Sequence, residues 1–197
     1  MRVSRVQADA NRQTVINVAS QLFRKHGFDG ISLKDLMKQA GLTHGGFYKQ
    51  FASKEDLAAL ATARAVETAG SRLAQITDAS AGSELAALLA FYLSSERLNE
   101  REFGCPLVAL GSDAARGSHA IRAEFEAGIR THLQLLDRLL GNPASDTPSP
   151  ASMAILSMMV GALALARMVN DESLSGGFLA AGIAGAGEAS SDTESPG

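Results

Sequence analysis

Residues 32–51 read SLKDLMKQAGLTHGGFYKQF. Ser32 is a good helix N-cap with Asp35 three residues on, and Leu33, Leu36, Met37 and Ala40 fall on one face of a short helix that stops at Gly41. Thr43 caps a third helix almost at once, and the pattern carries it to Phe51. Two short helices joined through a glycine have the spacing of a helix-turn-helix, in which glycine permits the tight turn and the second helix enters a major groove. On that second helix Phe47 and Phe51, four apart, turn inward and leave His44, Tyr48, Lys49 and Gln50 outward. Tyr48 has a competing reading as a core aromatic, and His44 as a solvated surface residue.

The charge distribution supports the nucleic-acid reading. Residues 1–54 hold nine basic residues against three acidic, a balance of +6, whereas residues 55–197 hold nine arginines against eighteen acids, a balance of −9. Every lysine lies in the first 54 residues. A cationic segment fused to an anionic one suits a chain of which only one part meets a polyanion, because counterion release favours Lys and Arg against phosphate. Arg2 and Arg5 are candidates for an arm reaching a minor groove.

Working outward, periods near 3.6 dominate and no strand pattern appears, so the expected class is all-α. A first helix is expected over 8–26, closed by Gly27, and a fourth from Ser53, with Glu55 and Asp56 at its positive end, to about Asp78. Further helices are expected over 83–98, from Pro106 to Arg116, and after Gly117 and Ser118 to Leu140. Gly141 to Pro150 is a proline-broken loop. Residues 151–169 are apolar nearly all round, which predicts burial on every side, and 178–187 form a Gly/Ala-rich helix. The expected division is a helix-turn-helix domain over 1–54, a helical effector and dimerisation domain over 55–187, and a disordered polar tail over 188–197.

At 197 residues the chain has room for a sizeable core, and 46% apolar with 20% charged residues excludes a wholly disordered or fibrous chain. One cysteine, Cys105, excludes an internal disulfide framework. No basic n-region followed by an apolar stretch opens the chain, and the run at 151–166 is interrupted by serines, so the expectation is a cytoplasmic protein without membrane contact. His26, His44, His119 and His132 have no metal-ligand spacing, and neither a phosphate loop nor a nucleophilic triad is legible. A small helical enzyme therefore has nothing to recommend it, and no cofactor or metal is expected.

The elements Ala19, Leu22-Phe23, Gly27-Phe28, Ser32-Leu33, Leu36, Ala40-Gly41-Leu42, Gly46-Phe47-Tyr48, Phe51 and Ser53-Lys54-Glu55-Asp56-Leu57 make the stretch 16–60 resemble the DNA-binding domain of TetR/AcrR-type transcriptional regulators. The resemblance implies an all-helical homodimer, usually a repressor, whose C-terminal part binds a small-molecule effector and dimerises. Carried over by position, it places Thr43, Tyr48 and Lys54 on phosphates, with Ser32 and Lys34 at the same interface. His44, Lys49 and Gln50 are the candidates for base edges on a double-stranded operator. Gly45 and Gly46 weaken a helix but let its backbone come close to the sugar-phosphate chain.

In the second half, Phe91, Tyr92, Phe103, Cys105, Leu107, Phe125 and His132 are the candidate pocket residues, with plain core as the competing reading. An anionic effector would have to be met by arginine, for instance Arg97, Arg101 or Arg130, or by helix ends. Ile155, Met159, Leu163, Ala166, Phe178 and Ile183 are the candidate dimer interface, as a four-helix bundle from two subunits. Cys105, at a helix start before Pro106 with Arg101 close in sequence, offers an alternative in which a thiolate senses electrophiles or oxidants, as the resemblance allows.

Overall fold

A computed structural model describes residues 5–142 and 145–191. Among them every regular element is helical: α1 (Arg5–His26), α2 (Leu33–Gln39), a 3₁₀ segment (His44–Lys49), α3 (Lys54–Asp78), α4 (Glu84–Tyr92), α5 (Glu96–Asn99), α6 (Pro106–Arg116), α7 (His119–Leu139), α8 (Pro150–Met168) and α9 (Glu172–Ser191). Arg2, Pro143 and residues 192–197 of the expected tail lie outside the described residues.

The caps follow the sequence closely. Gly27 closes α1 at φ +77°, its N–H donating to Phe23 O at 2.7 Å, and Gly41 closes α2 at φ +71° while Leu42 N–H returns to Met37 O at 2.9 Å. Ser32 Oγ accepts from Asp35 N–H at 3.1 Å. Ser53 Oγ accepts from Asp56 N–H at 3.0 Å, and the Asp56 carboxylate accepts from Ala52 N–H at 3.1 Å, so the turn before α3 is closed from both sides.

Four expectations about elements are corrected. The first helix starts at Arg5, not at 8. The helix expected over 83–98 is two, because the chain leaves helical geometry at Leu93 and resumes only at Glu96, where Ser94 and Ser95 bond the Glu96 carboxylate. The last apolar helix starts at Pro150, which takes the first helical position under a Ser149 cap (Ser152 N–H to Ser149 Oγ, 3.1 Å). Finally α9 runs to Ser191, so residues 188–191 are helix and not tail.

The chain packs as two compact units, which do not follow the linear division expected at residue 54. One comprises residues up to Thr68 with Arg101–Glu126, the other Ala69–Glu100 with residues from Ala127 on. In the first, Val15, Ala19, Phe23, Leu36, Met37, Phe47 and Leu57 are completely buried. Segment 101–126 belongs there because α1 and the turn after it are bonded to it: Arg24 Nη1 donates to Gly104 O at 3.0 Å, Lys25 pairs with Glu102, and Phe28 N–H donates to Asp113 Oδ2 at 3.4 Å. In the second unit α8 and α9 form a close hairpin. Gly182 permits it, since a Cβ there would lie 2.6 Å from Ala162 Cβ, and Ser175 Oγ donates to Ala166 O at 2.9 Å.

Candidate functional site

The hydrophobic side of the candidate reading segment sets its orientation. Phe47 is fully buried and Phe51 nearly so, their rings 5.3 Å apart, and the Arg12 guanidinium lies 5.2 Å above Phe51. Tyr48 is thereby turned out and is 65% exposed, which removes its reading as a core residue. Its ring stands edge-on to Phe47 at 5.1 Å and to His44 at 6.1 Å, so the exposed pair is braced from beneath. Lys34, Thr43, His44, Gly45 and Lys49 are exposed on the same unit.

The segment is a 3₁₀ helix of six residues, where an α-helix reaching Phe51 was expected. Its bonds are i to i+3: Gly46 N–H to Thr43 O at 3.0 Å and Gln50 N–H to Phe47 O at 2.9 Å. Two consecutive glycines weaken the α form, and Thr43 makes no side-chain cap hydrogen bond that would start one. A Cβ on Gly45 would meet nothing within 4 Å, so this backbone is bare toward the outside.

Gln50 is only half-buried, but its Oε1 is buried without a partner, unlike the outward amide expected for a base reader. Ser32 is exposed, with its hydroxyl engaged in capping and bonded to Asp35 Oδ2 at 2.6 Å. Lys54 is half-buried at the first position of α3.

The candidate pocket residues divide between the units. Phe103, Cys105, Leu107 and Phe125 belong to the first, where Phe103 is 52% exposed and the other three are buried. Phe91, Tyr92 and His132 belong to the second, with Tyr92 and His132 buried. Phe91 is half-buried and pairs with two guanidinium groups, Arg97 at 4.3 Å and Arg72 at 5.0 Å from its centroid.

Four of the expected interface residues, Ile155, Met159, Leu163 and Ala166, are buried within the chain's own fold and so lack the outward position an intersubunit contact needs. The expectation of burial on every side of this helix is likewise corrected: Met153, Leu165 and Met168 are exposed, and on α9 so are Leu174 and Ile183, while Phe178 is half-buried. A helix apolar all round does not reveal which stripe the hairpin consumes. By length and composition α8 passes for a membrane-crossing helix, but its inner stripe is packed against α9.

Residues 15–61 match the family described as bacterial regulatory proteins, tetR family. The chain is 28% identical over 136 residues to the HTH-type transcriptional repressor NemR of Escherichia coli K12, covering 66% of this chain and 67% of that one. It is 38% identical over 56 residues, 28% of this chain and 26% of the other, to the transcriptional regulator AcrR of Shigella flexneri. The crystal structure of E. coli NemR in its reduced form superposes with a TM-score of 0.73 at 24% identity, over 89% of this chain and 94% of that one. Residues 15–61 are thus similar to the DNA-binding part of tetR-family regulators, and the described fold is similar to that of NemR.

Several charged groups, Arg24 the first of them, escape a reading by sequence. Arg24, on α1, is almost completely buried, its Nε donating to Ser20 O at 2.9 Å; burial pulls its pKa down to about 10, opposed by the adjacent Cys105. A cation beside the cysteine is thus Arg24, which the sequence reading did not name. Its only signal in the sequence is its place four residues after Ser20 at the edge of the apolar stripe of α1.

Arg72 and Arg97 both pair with Glu100, the former at 2.9 Å, and Arg167 Nη2 donates to Arg97 O at 2.6 Å and Glu100 O at 3.3 Å. Burial lowers the Arg97 pKa, and the positive Arg72 and Arg167 add to this. Among the described residues no three His, Cys, Asp or Glu gather as a metal site.

Proposed function

We propose that this regulator is a cytoplasmic homodimeric repressor, not an enzyme, which binds a double-stranded operator and is released by a small molecule. The observation that carries the DNA-binding part is the reading segment, whose two phenylalanines are buried so that His44, Tyr48 and Lys49 project from the only lysine-bearing part of the chain. Lys49 suits the guanine O6/N7 pair, while Thr43, Tyr48 and Lys54 hold phosphates. One such segment is too small for a specific site, so two are required, on half-sites about 34–36 Å apart. The exposed Met153, Leu165, Met168, Leu174 and Ile183 are the surface on which a second copy closes.

Release follows from linkage: an effector that prefers the conformation in which the two segments no longer match successive grooves lowers operator affinity, and DNA lowers effector affinity by the same factor. The repressor assignment draws support from NemR, which is named a repressor. Selection of genomic fragments by the purified protein tests the proposal. Salt-dependent, competitor-resistant binding to DNA beside its own gene is expected, and binding without sequence preference refutes it.

A covalent route is the second reading. Cys105 caps α6 beside the buried Arg24 guanidinium, a setting that favours a nucleophilic sulfur. If Cys105→Ser leaves the response of DNA binding to mild oxidant unchanged, this route is excluded and the non-covalent effector stands.

A further inference from the structure

The buried stripe of α1 runs through Val15, Ile16, Ala19, Leu22 and Phe23. One turn earlier on the same stripe stands Arg12, three residues before Val15 and four before Ile16, where helical spacing calls for another apolar side chain. Its guanidinium lies over the ring of Phe51, 5.2 Å from the centroid, at the end of the reading segment. The Phe51 ring packs in turn at 5.3 Å on Phe47, the ring that braces Tyr48. Two residues beyond Phe51, Ser53 caps α3, and Lys54 opens it. A cation of α1 is thus held against the segment and beside the start of α3.

Keeping a surface solvated does not need this arrangement. A cation over a ring is held by charge, and the contact uses none of the five N–H donors of the guanidinium. Arg12 is half-buried and pairs with no carboxylate among the described ion pairs. None of its nitrogens is left buried without a partner, so its donors face water. Other arginines of the same unit have spent theirs: Arg24 on two backbone carbonyls, Arg64 on Glu67, Gln13 and Asn17, and Arg116 on Asp113. A guanidinium with a packed stem and open donors loses little rotamer freedom on taking an anion, and its fork fits two oxygens of a phosphate.

We propose that Arg12 binds a backbone phosphate of the double-stranded operator, at the edge of the groove that the reading segment enters. The assignment rests on the reading of the chain as a DNA-binding regulator, and it adds α1 to an interface otherwise drawn from residues 32–54.

The test uses the full-length chain and the genomic fragment it selects. Arg12→Met keeps a long unbranched side chain over Phe51 and removes the charge. Arg12→Gln, equally uncharged, repeats each measurement, so the outcome does not hang on one variant folding. Arg12→Lys keeps the charge. Affinity is read by fluorescence anisotropy over a salt series, then on duplexes in which one phosphate at a time is replaced by an uncharged methylphosphonate.

The salt slope is expected to fall by about 1 in Arg12→Met, and affinity near physiological salt by roughly fivefold. One methylphosphonate that weakens the parent should leave Arg12→Met unaffected, because the contact is already lost. Arg12→Lys should keep the slope, and preference among single-base operator variants should be the same in every chain. A mere brace on Phe51 gives a different result: a lowered thermal midpoint with slope and methylphosphonate profile unmoved, which overturns the proposal. A parent chain that binds no fragment defeats the regulator reading, whereas a parent that binds while the uncharged variants keep its slope and profile defeats Arg12 alone.

Discussion

At the scale of single residues, the roles proposed for Lys49 and Lys54 predict different losses. Lys49 is exposed with no competing partner among the described contacts, and a base-edge contact by it distinguishes sequences. Lys49→Ala is expected to weaken operator binding by about 1–3 kcal/mol and to relax preference at one base position, measured by fluorescence anisotropy over a panel of single-base operator variants. Lys54→Ala should weaken every variant alike and reduce the salt slope by about 1, as a lost phosphate contact does. The outward position of Lys49 was legible from helical spacing, whereas the place of Lys54 came from the resemblance of the stretch around it. The buried amide oxygen of Gln50 was not, because its orientation depends on the 3₁₀ geometry that closes the segment.

His132 makes a prediction of the same scale. Burial keeps it neutral, so its folded-state pKa lies below the 6.5 of an unfolded chain. Below that pH the unfolded state binds a proton that the folded state resists, and stability falls as acid is added; well above it the group contributes no pH dependence. Thermal midpoints measured from pH 7 to pH 5 should therefore decline less steeply in His132→Leu than in the parent chain, and parallel curves would contradict the assignment.

Among the elements, those with strong local punctuation were read closely from sequence. Gly27, Ser32, Gly41, Ser53 and Pro106 each fix a helix end by their own chemistry, and α2, α3 and α6 fall where those residues put them. What escaped was set by contacts distant in sequence. The break after Tyr92 adjoins a segment whose carbonyls are held by Arg167, seventy residues away, and the buried stripe of α8 is chosen by α9. The α8–α9 hairpin is the sharpest case of such a constraint. At Gly182 an added methyl would lie 2.6 Å from the Cβ of Ala162, an atom fixed to the facing backbone and unable to swing aside. Overpacking there costs about 1–3 kcal/mol, more than the 1 kcal/mol or so that alanine returns in helix propensity. Gly182→Ala should lower the midpoint of denaturant unfolding. Gly111→Ala, in α6 with nothing within 4 Å of the new carbon, should raise it. Equal effects from the two would show that propensity rather than packing governs both.

For the whole molecule the central fact is the opposition of a +6 N-terminal stretch to a −9 remainder. In the proposed homodimer the acidic remainder, which DNA repels, supplies the partnership between copies and leaves the cationic stretch for the duplex. The exposed apolar residues of α8 and α9 suit that partnership, and they differ from the residues that sequence periodicity selected. Ile155, Met159, Leu163 and Ala166 stabilise the single chain, whereas Leu165 and Met168, 45% and 74% exposed, contribute little to it. The two sets should therefore separate experimentally. Leu165→Glu with Met168→Glu is expected to leave helicity and the unfolding midpoint near those of the parent, while the particle becomes a single chain by light scattering and operator affinity drops to the non-specific level, about 10³-fold or more. Met159→Ala should instead lower the unfolding midpoint by an amount corresponding to about 2–5 kcal/mol, since it opens a cavity in the core. If the charged double variant remains dimeric and still protects two half-sites one helical turn apart, these helices are not where the copies meet.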